Sequence, residues 1–314
     1  MQLVANLDCE ATWAGVTLPA AVRARISLYA TLFAACAADD ELHDVWVPAE
    51  LDAGRLIGHP GWTPPTVRVG APPAADLRWA EPGARDANDR ARTLAIAEAL
   101  GAALPGARVV ASLDELEAHL ATRSGAWVCK ARWTAAGRDR AHGQGPRIEG
   151  ELRSRLRRMF ERLGPLVFEP WMDRRADFGT CGEIRAAGGG SVVDVATPHT
   201  LRTDARGGFL GIELAPPAPA IVAALQATAT QTGERLAATG YRGPFAIDAF
   251  AYADAAGAPR LHTLCELNAR FSFGWIARGL ARRLGVQRLG FDPAPPGAIV
   301  LIAPGVDRVT AWCA

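Results

Sequence analysis

Two apolar segments late in the chain, 244–252 and 260–267, constrain the fold more than any other feature of the sequence. Short apolar runs of this kind, bounded by Gly, Pro and Asp, indicate buried strands. The first run contains one acid, Asp248. The end of the second carries polar side chains at alternate positions: Glu266, Asn268 and Arg270. Because alternate residues of a strand share a face, these side chains should project together, and Asp248 joins them if the strands pair.

This group of polar residues has the composition of a metal and phosphate site. Carboxylate and amide oxygens are ligands that Mg²⁺ and Mn²⁺ accept, so Asp248, Glu266 and Asn268 are candidate metal ligands. Arg270 is a candidate to bind a phosphate or to stabilise a developing oxyanion. The alternative is a salt-bridged rim of a sheet, since E-x-N-x-R alone is a common pattern. An acid inside so apolar a strand favours the site.

Lys130 is the only lysine among 34 basic residues; the other 33 are arginine. It lies within a predicted strand at 126–133, and the segment that follows contains Thr134, Gly137 and Gly145. A compact charge beside a glycine-bearing turn with free backbone N–H groups suits phosphate oxygens. The segment is not a Walker A loop, which requires G-x-x-x-x-G-K-[ST]. The alternative is a lysine retained by chance at the surface.

Composition excludes several classes of protein. The chain has 314 residues, of which 49% are apolar, and a formal net charge of +1. This length predicts two or three domains, and the balanced charge gives no reason to expect nucleic acid or a membrane surface as a partner. No apolar run approaches the roughly 20 residues of a membrane span, and the N-terminus lacks the basic region of a signal peptide. The six scattered cysteines fit the reducing cytoplasm, so we expect a cytoplasmic protein.

Helices and strands mix along the whole chain, which predicts an α/β (α+β) protein. Helices are predicted near 19–37, 90–100, 112–123, 149–163, 217–239 and 274–284. Strands are predicted near 2–7, 43–47, 107–110, 126–133, 164–171, 244–252, 260–267 and 298–303. A hairpin is predicted at 182–197, with its turn at the glycines 188–190. Asp89 and Ser112 have the positions of helix N-caps, the latter with Glu115 in a capping-box pattern.

The order of these pieces resembles the ATP-grasp superfamily. The matching pieces are Lys130 with its glycine loop 134–145, Glu169-Pro-Trp-Met172, Asp177, Asp248, and Glu266-Leu-Asn-Ala-Arg270. The resemblance covers roughly residues 86–285. It implies two α+β subdomains that sandwich ATP, preceded by a small Rossmann-like domain. The expected division is an N-terminal domain at 1–85, a small subdomain at 86–172 and a large subdomain at 173–314.

The resemblance also implies a role for each matching residue. Lys130 would contact the α- and β-phosphates, and the loop 134–145, with Thr134 and Gly137, would close over the nucleotide. Glu169 and the backbone of Trp171 and Met172 would hold adenine between two sheets. Asp177, or Asp173 as the alternative, would bind the ribose, and Asp248, Glu266 and Asn268 would bind the metal. Arg270 would stabilise the transferring phosphoryl group or the tetrahedral intermediate.

Some positions are assigned less directly. Many ATP-grasp proteins have a second lysine near the start of the nucleotide-binding region, where this chain has Arg90, which we expect to reach a phosphate. Arg185 and Arg202 are candidate contacts for a substrate carboxylate or phosphate, with ordinary surface arginines as the alternative. Cys265 should face away from the site as a packing residue, because it alternates with Glu266.

The activity implied by the resemblance is an ATP-dependent ligase. A small-molecule or peptide carboxylate would be activated as an acyl phosphate, with release of ADP, and an amine or thiol would then displace phosphate. The expected cofactors are ATP and Mg²⁺ or Mn²⁺, and homodimers are frequent among such proteins. The alternatives are an ATP-binding module without ligase turnover and a kinase-like phosphoryl transfer on the same fold.

Overall fold

The computed structural model describes residues 1–37, 43–72, 74–133, 139–204 and 207–314. Its N-terminal part contains a parallel sheet in the order β3-β2-β1-β4, which is a Rossmann-like arrangement. The elements are β1 (Gln2–Val4), α1 (Cys9–Trp13), α2 (Ala20–Ala30), β2 (Asp44–Val47), β3 (Thr66–Val69) and β4 (Leu77–Arg78). A 3-10 helix, Thr31–Cys36, continues α2. The Rossmann-like character predicted for this region is therefore confirmed.

The middle of the chain forms an antiparallel sheet in the order β5-β8-β6-β7. Its elements are α3 (Arg90–Ala99), β5 (Arg108–Val110), α4 (Leu113–Leu120), β6 (Ala126–Ala131), β7 (Arg140–Gln144), α5 (Gly150–Leu163) and β8 (Leu166–Pro170). The predicted caps are present: Asp89 accepts from the N–H of Ala91, and Ser112 accepts from the N–H of Glu115. Leucines of α4 and α5 pack on this sheet around Trp127 and Phe168.

The last part of the chain forms a large antiparallel sheet. Its elements are β9 (Asp173–Ala187), β10 (Gly190–Val195), β11 (His199–Thr203), β12 (Phe209–Glu213), α6 (Pro219–Ala238), β13 (Gly243–Ala253), β14 (Pro259–Asn268), α7 (Phe273–Leu284), β15 (Arg288–Gly290), β16 (Ile299–Ile302) and β17 (Ala311–Cys313). The strand order is β14-β13-β9-β11-β12-β15-β17-β16, with β10 paired to β9. The predicted hairpin and both late apolar strands are confirmed.

One hydrophobic core joins the two ends of the chain. Leu3 of the N-terminal sheet and Phe33 of the 3-10 helix share a cluster with Ile276 and Leu280 of α7 and with β16 and β17. Helix α7 approaches the N-terminal 3-10 helix so closely that a Cβ at Gly279 would lie 1.9 Å from the carbonyl oxygen of Ala35. Helix α3 packs against the large sheet through Ile96 and Ala97. The division at residues 85 and 172 stays a prediction.

Among the described residues, no helix combines the length and the apolar character that crossing a membrane requires.

Candidate active site

The two late strands pair as predicted and bring two carboxylates together. Asp248 of β13 and Glu266 of β14 are register partners, and Asn268 lies opposite Ala246 in the same ladder. Arg270 follows the end of β14, and its Nη2 donates to Oδ1 of Asn268 at 2.8 Å. The cluster inferred from alternation therefore exists as a structural unit on one edge of the large sheet.

Arg270 is fixed by a residue from the N-terminal part of the chain. Its Nε and Nη2 donate to Oε1 of Glu10 at 2.9 and 2.6 Å, and its Nη1 donates to the carbonyl of Phe271. The Glu10 side chain is 7% exposed and the Arg270 side chain 14%. The other carboxylate oxygen of Glu10, Oε2, is buried without a hydrogen-bond partner. The N-terminal sheet region thus contributes a charged group directly to the site.

Lys130 and Arg90 complete a ring of cations around the carboxylates. Nζ of Lys130 lies 2.5 Å from Oε2 of Glu169. Arg90, the first residue of α3, donates to Oε1 of Glu266 at 2.6 Å and to the carbonyl of Ala131 at 3.0 Å. Arg90 therefore bridges the middle sheet and the edge of the large sheet that carries Glu266. Each of the three cations is paired with a carboxylate.

Burial and charge compete at every group of this ring. Burial opposes the charges of Arg90, Lys130 and Arg270, but neighbouring carboxylates outweigh it, so the pKa of each stays above its ordinary value. Burial also opposes the charge of Glu266, but the three cations hold its pKa below the ordinary value. Burial and the adjacent Glu266 carboxylate together raise the pKa of Asp248.

The donor set at this edge fits a divalent cation. Burial and, after it, repulsion by the adjacent Glu266 carboxylate raise the pKa of Asp248, and a bound cation would relieve the repulsion. The side-chain oxygen of Asn268 supplies a third ligand of the same hard type. In the described part of the chain no group of three His, Cys, Asp or Glu residues could hold a metal. Mg²⁺ prefers octahedral coordination, so three protein oxygens would leave positions for phosphate and water oxygens.

Asn88 holds the backbone between the metal and arginine positions. Its Oδ1 accepts from the N–H of Ala269 at 2.8 Å, and its Nδ2 donates to the carbonyl of Ala269 at 3.1 Å. Nδ2 also donates to the carbonyl of Ala84 at 2.7 Å. Asn88 is 7% exposed and Ala269 fully buried. These two hydrogen bonds to Ala269 fix the peptide groups that connect it to Asn268 and Arg270.

The hinge between β8 and β9 lies beside the same cleft. The N–H of Trp171 donates to the carbonyl of Ala126 at 2.8 Å, so this donor belongs to the sheet. It is not available to adenine, contrary to the role expected for it. Met172 follows it at the end of the hinge. Asp177 accepts from Nη1 of Arg174 at 3.1 Å and from the hydroxyl of Thr203 at 3.2 Å. The predicted ribose contact is thus already bonded within the protein.

The prediction that Cys265 faces away from the site is wrong. Its Sγ accepts from Nη2 of Arg174 at 3.4 Å, and it borders a cavity with Glu169 and Arg90, so it faces the cleft. Strict alternation fails because the register between β13 and β14 shifts after Asp248: that residue pairs with Glu266, but Phe250 pairs with His262. The irregularity allows two consecutive residues of β14 to face the site.

The expected glycine loop is shorter than predicted. Residues 140–144 form β7, which pairs with β6, so the second half of the predicted 134–145 loop is strand. The sequence was misleading because His142 and Gly143 have low strand propensity, whereas a Cβ at Gly143 would lie 2.0 Å from the Trp127 ring. Thr134 and Gly137 lie outside the described residues, and their assignment stays a prediction.

Two arginines predicted as substrate contacts are not brought to the cluster. Arg185 lies on the β9–β10 hairpin, paired with Asp194 and 60% exposed. Arg202 of β11 bonds Asp292 at 2.7 Å and lies over the ring of Trp312, 5.6 Å from its centroid. Both are held in ion pairs within the protein, and Arg185 is exposed, as the alternative of an ordinary surface arginine expected.

Sequence reasoning did not find Glu10, Asn88 or Arg174. Glu10 is separated from Arg270 by 260 positions, and no local pattern connects them. Asn88 could have been noticed in the sequence, because it is a polar residue just before a capped helix and near Arg90. Its hydrogen bond with Ala269 could not, because that contact depends on the tertiary structure. Arg174 follows the hinge motif directly, and its proximity to that motif was the only available indication.

Comparison with known proteins supports the fold through structure alone. No family model matches the sequence, and no curated protein matches it. A phosphoribosylamine–glycine ligase from Thermotoga maritima aligns with 100% of this chain and 89% of its own, at a TM-score of 0.55 and 13% identity. A Rhizobium etli pyruvate carboxylase aligns with 86% of this chain and 26% of its own, at a TM-score of 0.53 and 14% identity.

An N5-carboxyaminoimidazole synthetase from Staphylococcus aureus aligns with 59% of this chain at a TM-score of 0.43 and 11% identity, and this chain spans 44% of it. Identities this low establish the fold alone, and the last alignment carries no argument. The mixed sheets and the first two alignments show that the chain has an ATP-grasp fold of the α+β type, as the resemblance predicted.

Proposed function

We propose that this protein is an ATP-dependent ligase that activates a carboxylate as an acyl phosphate and transfers the acyl group to an amine. The observation that carries the proposal is the pairing of Asp248 with Glu266 beside Asn268, with Lys130, Arg90 and Arg270 around them. Carboxylates that bind a cation and cations that bind phosphates are the two requirements of a Mg-ATP site. The neighbourhood of these carboxylates and basic side chains supports the proposal.

In this proposal the chain's own groups position the reactants and neutralise charge. Asp248, Glu266 and Asn268 hold Mg²⁺, or Mn²⁺, which supplies charge neutralisation on the phosphates. Lys130 and Arg90 exchange their carboxylate partners for phosphate oxygens, so that ion pairs of the free protein become contacts with the nucleotide. Glu169 then becomes available to the base, and Asp177 would meet the ribose once its bond from Arg174 is given up.

Arg270 lies where the phosphoryl group would be transferred. A substrate carboxylate oxygen attacks the γ-phosphorus of ATP, the bond to ADP breaks, and an acyl phosphate forms. The amine nitrogen then attacks the acyl carbon, phosphate leaves, and the amine loses a proton. Arg270 stabilises the charge that develops on the phosphoryl oxygens and on the tetrahedral centre, and Glu10 fixes its orientation.

The direct test is to follow ADP and phosphate release from Mg-ATP in the presence of pooled carboxylates and amines. The proposal requires release that depends on one carboxylate and one amine together. Addition of hydroxylamine should trap the acyl phosphate as a hydroxamate when the carboxylate alone is present. A carboxylate-independent transfer to a hydroxyl acceptor would instead indicate kinase-like chemistry, and binding of ATP without turnover in any pool would reduce the protein to a nucleotide-binding module.

The test variant for this assay is Glu266→Gln, and its matched control is Glu183→Gln. Glu266 belongs to the proposed metal pair, whereas Glu183 lies on the β9–β10 hairpin, with 44% of its side chain exposed. The first substitution should abolish turnover and the second should leave it unchanged. Equal activity of the two variants would contradict the assignment of the site.

A further inference from the structure

Arg174 lies where a planar base would stack in the cleft. Its guanidinium carbon is 4.1 Å from the centroid of the Phe250 ring and 5.7 Å from that of Trp171. Phe250 is on β13, two residues after Asp248, and Trp171 belongs to the hinge. The guanidinium is therefore sandwiched between the large sheet and the hinge, the two surfaces that border the proposed adenine slot.

The polar contacts of Arg174 lie along the edges of the same proposed adenine slot. Nη1 donates to Asp177 at 3.1 Å and Nη2 donates to Sγ of Cys265 at 3.4 Å. Asp177 is the proposed ribose ligand, and Cys265 borders the cavity next to Glu169. A flat cation that stacks on an aromatic face and bonds at its edges occupies space much as a purine does.

The Arg174 side chain already covers the face of the Phe250 ring. Its guanidinium carbon lies 4.1 Å from the ring centroid, which leaves no space for a base between the two groups. A base cannot stack on Phe250 while Arg174 stays in place.

We infer that Arg174 occupies the base subsite of the free protein and must leave it before ATP can bind. The inference rests on the proposed nucleotide site and specifies what competes for it. ATP must replace the stacking of Arg174 on Phe250 and its bond to Asp177, so part of the binding free energy of the base is used to displace a side chain. Arg174 lowers the affinity for adenine-containing ligands, although its positive charge alone would raise the affinity for a phosphate.

The sign of the change in ATP affinity when Arg174 is removed makes the test decisive. Removal of a cation from a nucleotide site ordinarily weakens binding, whereas removal of this one should strengthen it. A partly buried cation–π contact of this kind accounts for an affinity change of about three- to thirtyfold. We therefore expect Arg174→Ala to lower the dissociation constant for Mg-ATP by a factor in that range.

Arg175→Ala is the matched control. Arg175 is the next residue, carries the same charge, and pairs with Asp173 at the surface, where its side chain is 65% exposed. Isothermal titration calorimetry should give an unchanged or slightly weaker affinity for Mg-ATP in this variant. Arg174→Lys is a second test variant, because it keeps the charge but has no planar group, and it should also bind Mg-ATP more tightly than the unmodified protein.

Two partial ligands separate the base from the phosphates. Adenosine should gain as much affinity from Arg174→Ala as ATP does, whereas tripolyphosphate with Mg²⁺ should gain none. Weaker binding of ATP and adenosine to Arg174→Ala would overturn the inference and leave the proposed function intact, since it would make Arg174 a ligand of the nucleotide. Equal gains in Arg174→Ala and Arg175→Ala, or a gain for tripolyphosphate, would also overturn it. If neither the unmodified protein nor Arg174→Ala bound ATP, the proposed function itself would fall.

Discussion

Replacing Asn88 by alanine should destabilise the protein and disturb the metal site at the same time. The substitution leaves the buried N–H and carbonyl of Ala269 without partners. The carbonyl of Ala84 keeps a bond from the backbone N–H of residue 88 at 3.0 Å, so it is not orphaned. Two orphaned groups at about 1–3 kcal/mol each predict a fall of about 2–6 kcal/mol in the free energy of unfolding.

Urea titration measures this fall as a lower midpoint with an unchanged slope. Because Ala269 lies between Asn268 and Arg270, we also expect the affinity for Mg²⁺ in the presence of ATP to decrease about tenfold, equivalent to about 1.4 kcal/mol. Calorimetric titration of Mg²⁺ into the protein with ATP would measure it.

The chain supplies its own control for this experiment. Asn6 bonds the N–H and carbonyl of Ala80 at 3.1 and 3.2 Å, the same double contact in the N-terminal region. Asn6→Ala should lower stability by no more than Asn88→Ala, since Asn6 is only half-buried, and should leave the affinity for Mg²⁺ unchanged. The reasoning is refuted if Asn88→Ala costs less than about 1 kcal/mol, or if both variants lose Mg²⁺ affinity equally.

Substitutions at three further residues test the electrostatics. Lys130→Ala and Lys130→Arg should each weaken ATP binding in calorimetry by about tenfold or more without altering the circular dichroism spectrum, and unchanged binding in the alanine variant would remove Lys130 from the site. Asp248→Asn should raise the urea midpoint in metal-free buffer, because it removes a buried charge next to Glu266, and should abolish Mg²⁺-dependent nucleotide binding; a lower midpoint would contradict the repulsion between the two carboxylates. Burial lowers the pKa of His199 from 6.5 to about 3, so only the unfolded chain takes up this proton over that interval and stability falls as the pH falls from 6.5 towards 3. His199→Gln should flatten this decline in urea titrations at several pH values, whereas the same change at the exposed His59 should not.

The parts of the site that lie on one or two strands could be predicted from the sequence. Asp248, Glu266 and Asn268 share a face because strand periodicity is a local property, and the apolar runs identified both strands. Lys130 could be identified from composition, because a single lysine among so many arginines suggests that it has a specific function. The caps at Asp89 and Ser112 followed from local hydrogen bonding.

Contacts that depend on tertiary structure or on irregular pairing could not be predicted. Glu10 meets Arg270 only after the chain has folded back on itself. Cys265 faces the cleft because of a shift in strand register, which leaves no mark in residue type. Strand β7 is built from residues that suit a loop, and its pairing with β6 overrides their propensity.

The shared core between the first and last segments of the chain has a consequence for how the protein is made. Leu3, Val45 and Phe33 are buried against side chains from α7 and β16, so the N-terminal sheet has no complete core of its own. During synthesis it emerges from the ribosome more than two hundred residues before its packing partners, with its apolar face uncovered. Contacts at such separation form slowly, because a long loop must close before they stabilise anything. We therefore expect the middle sheet to fold first, and the nascent N-terminal segment to depend on chaperones until the final strands are released.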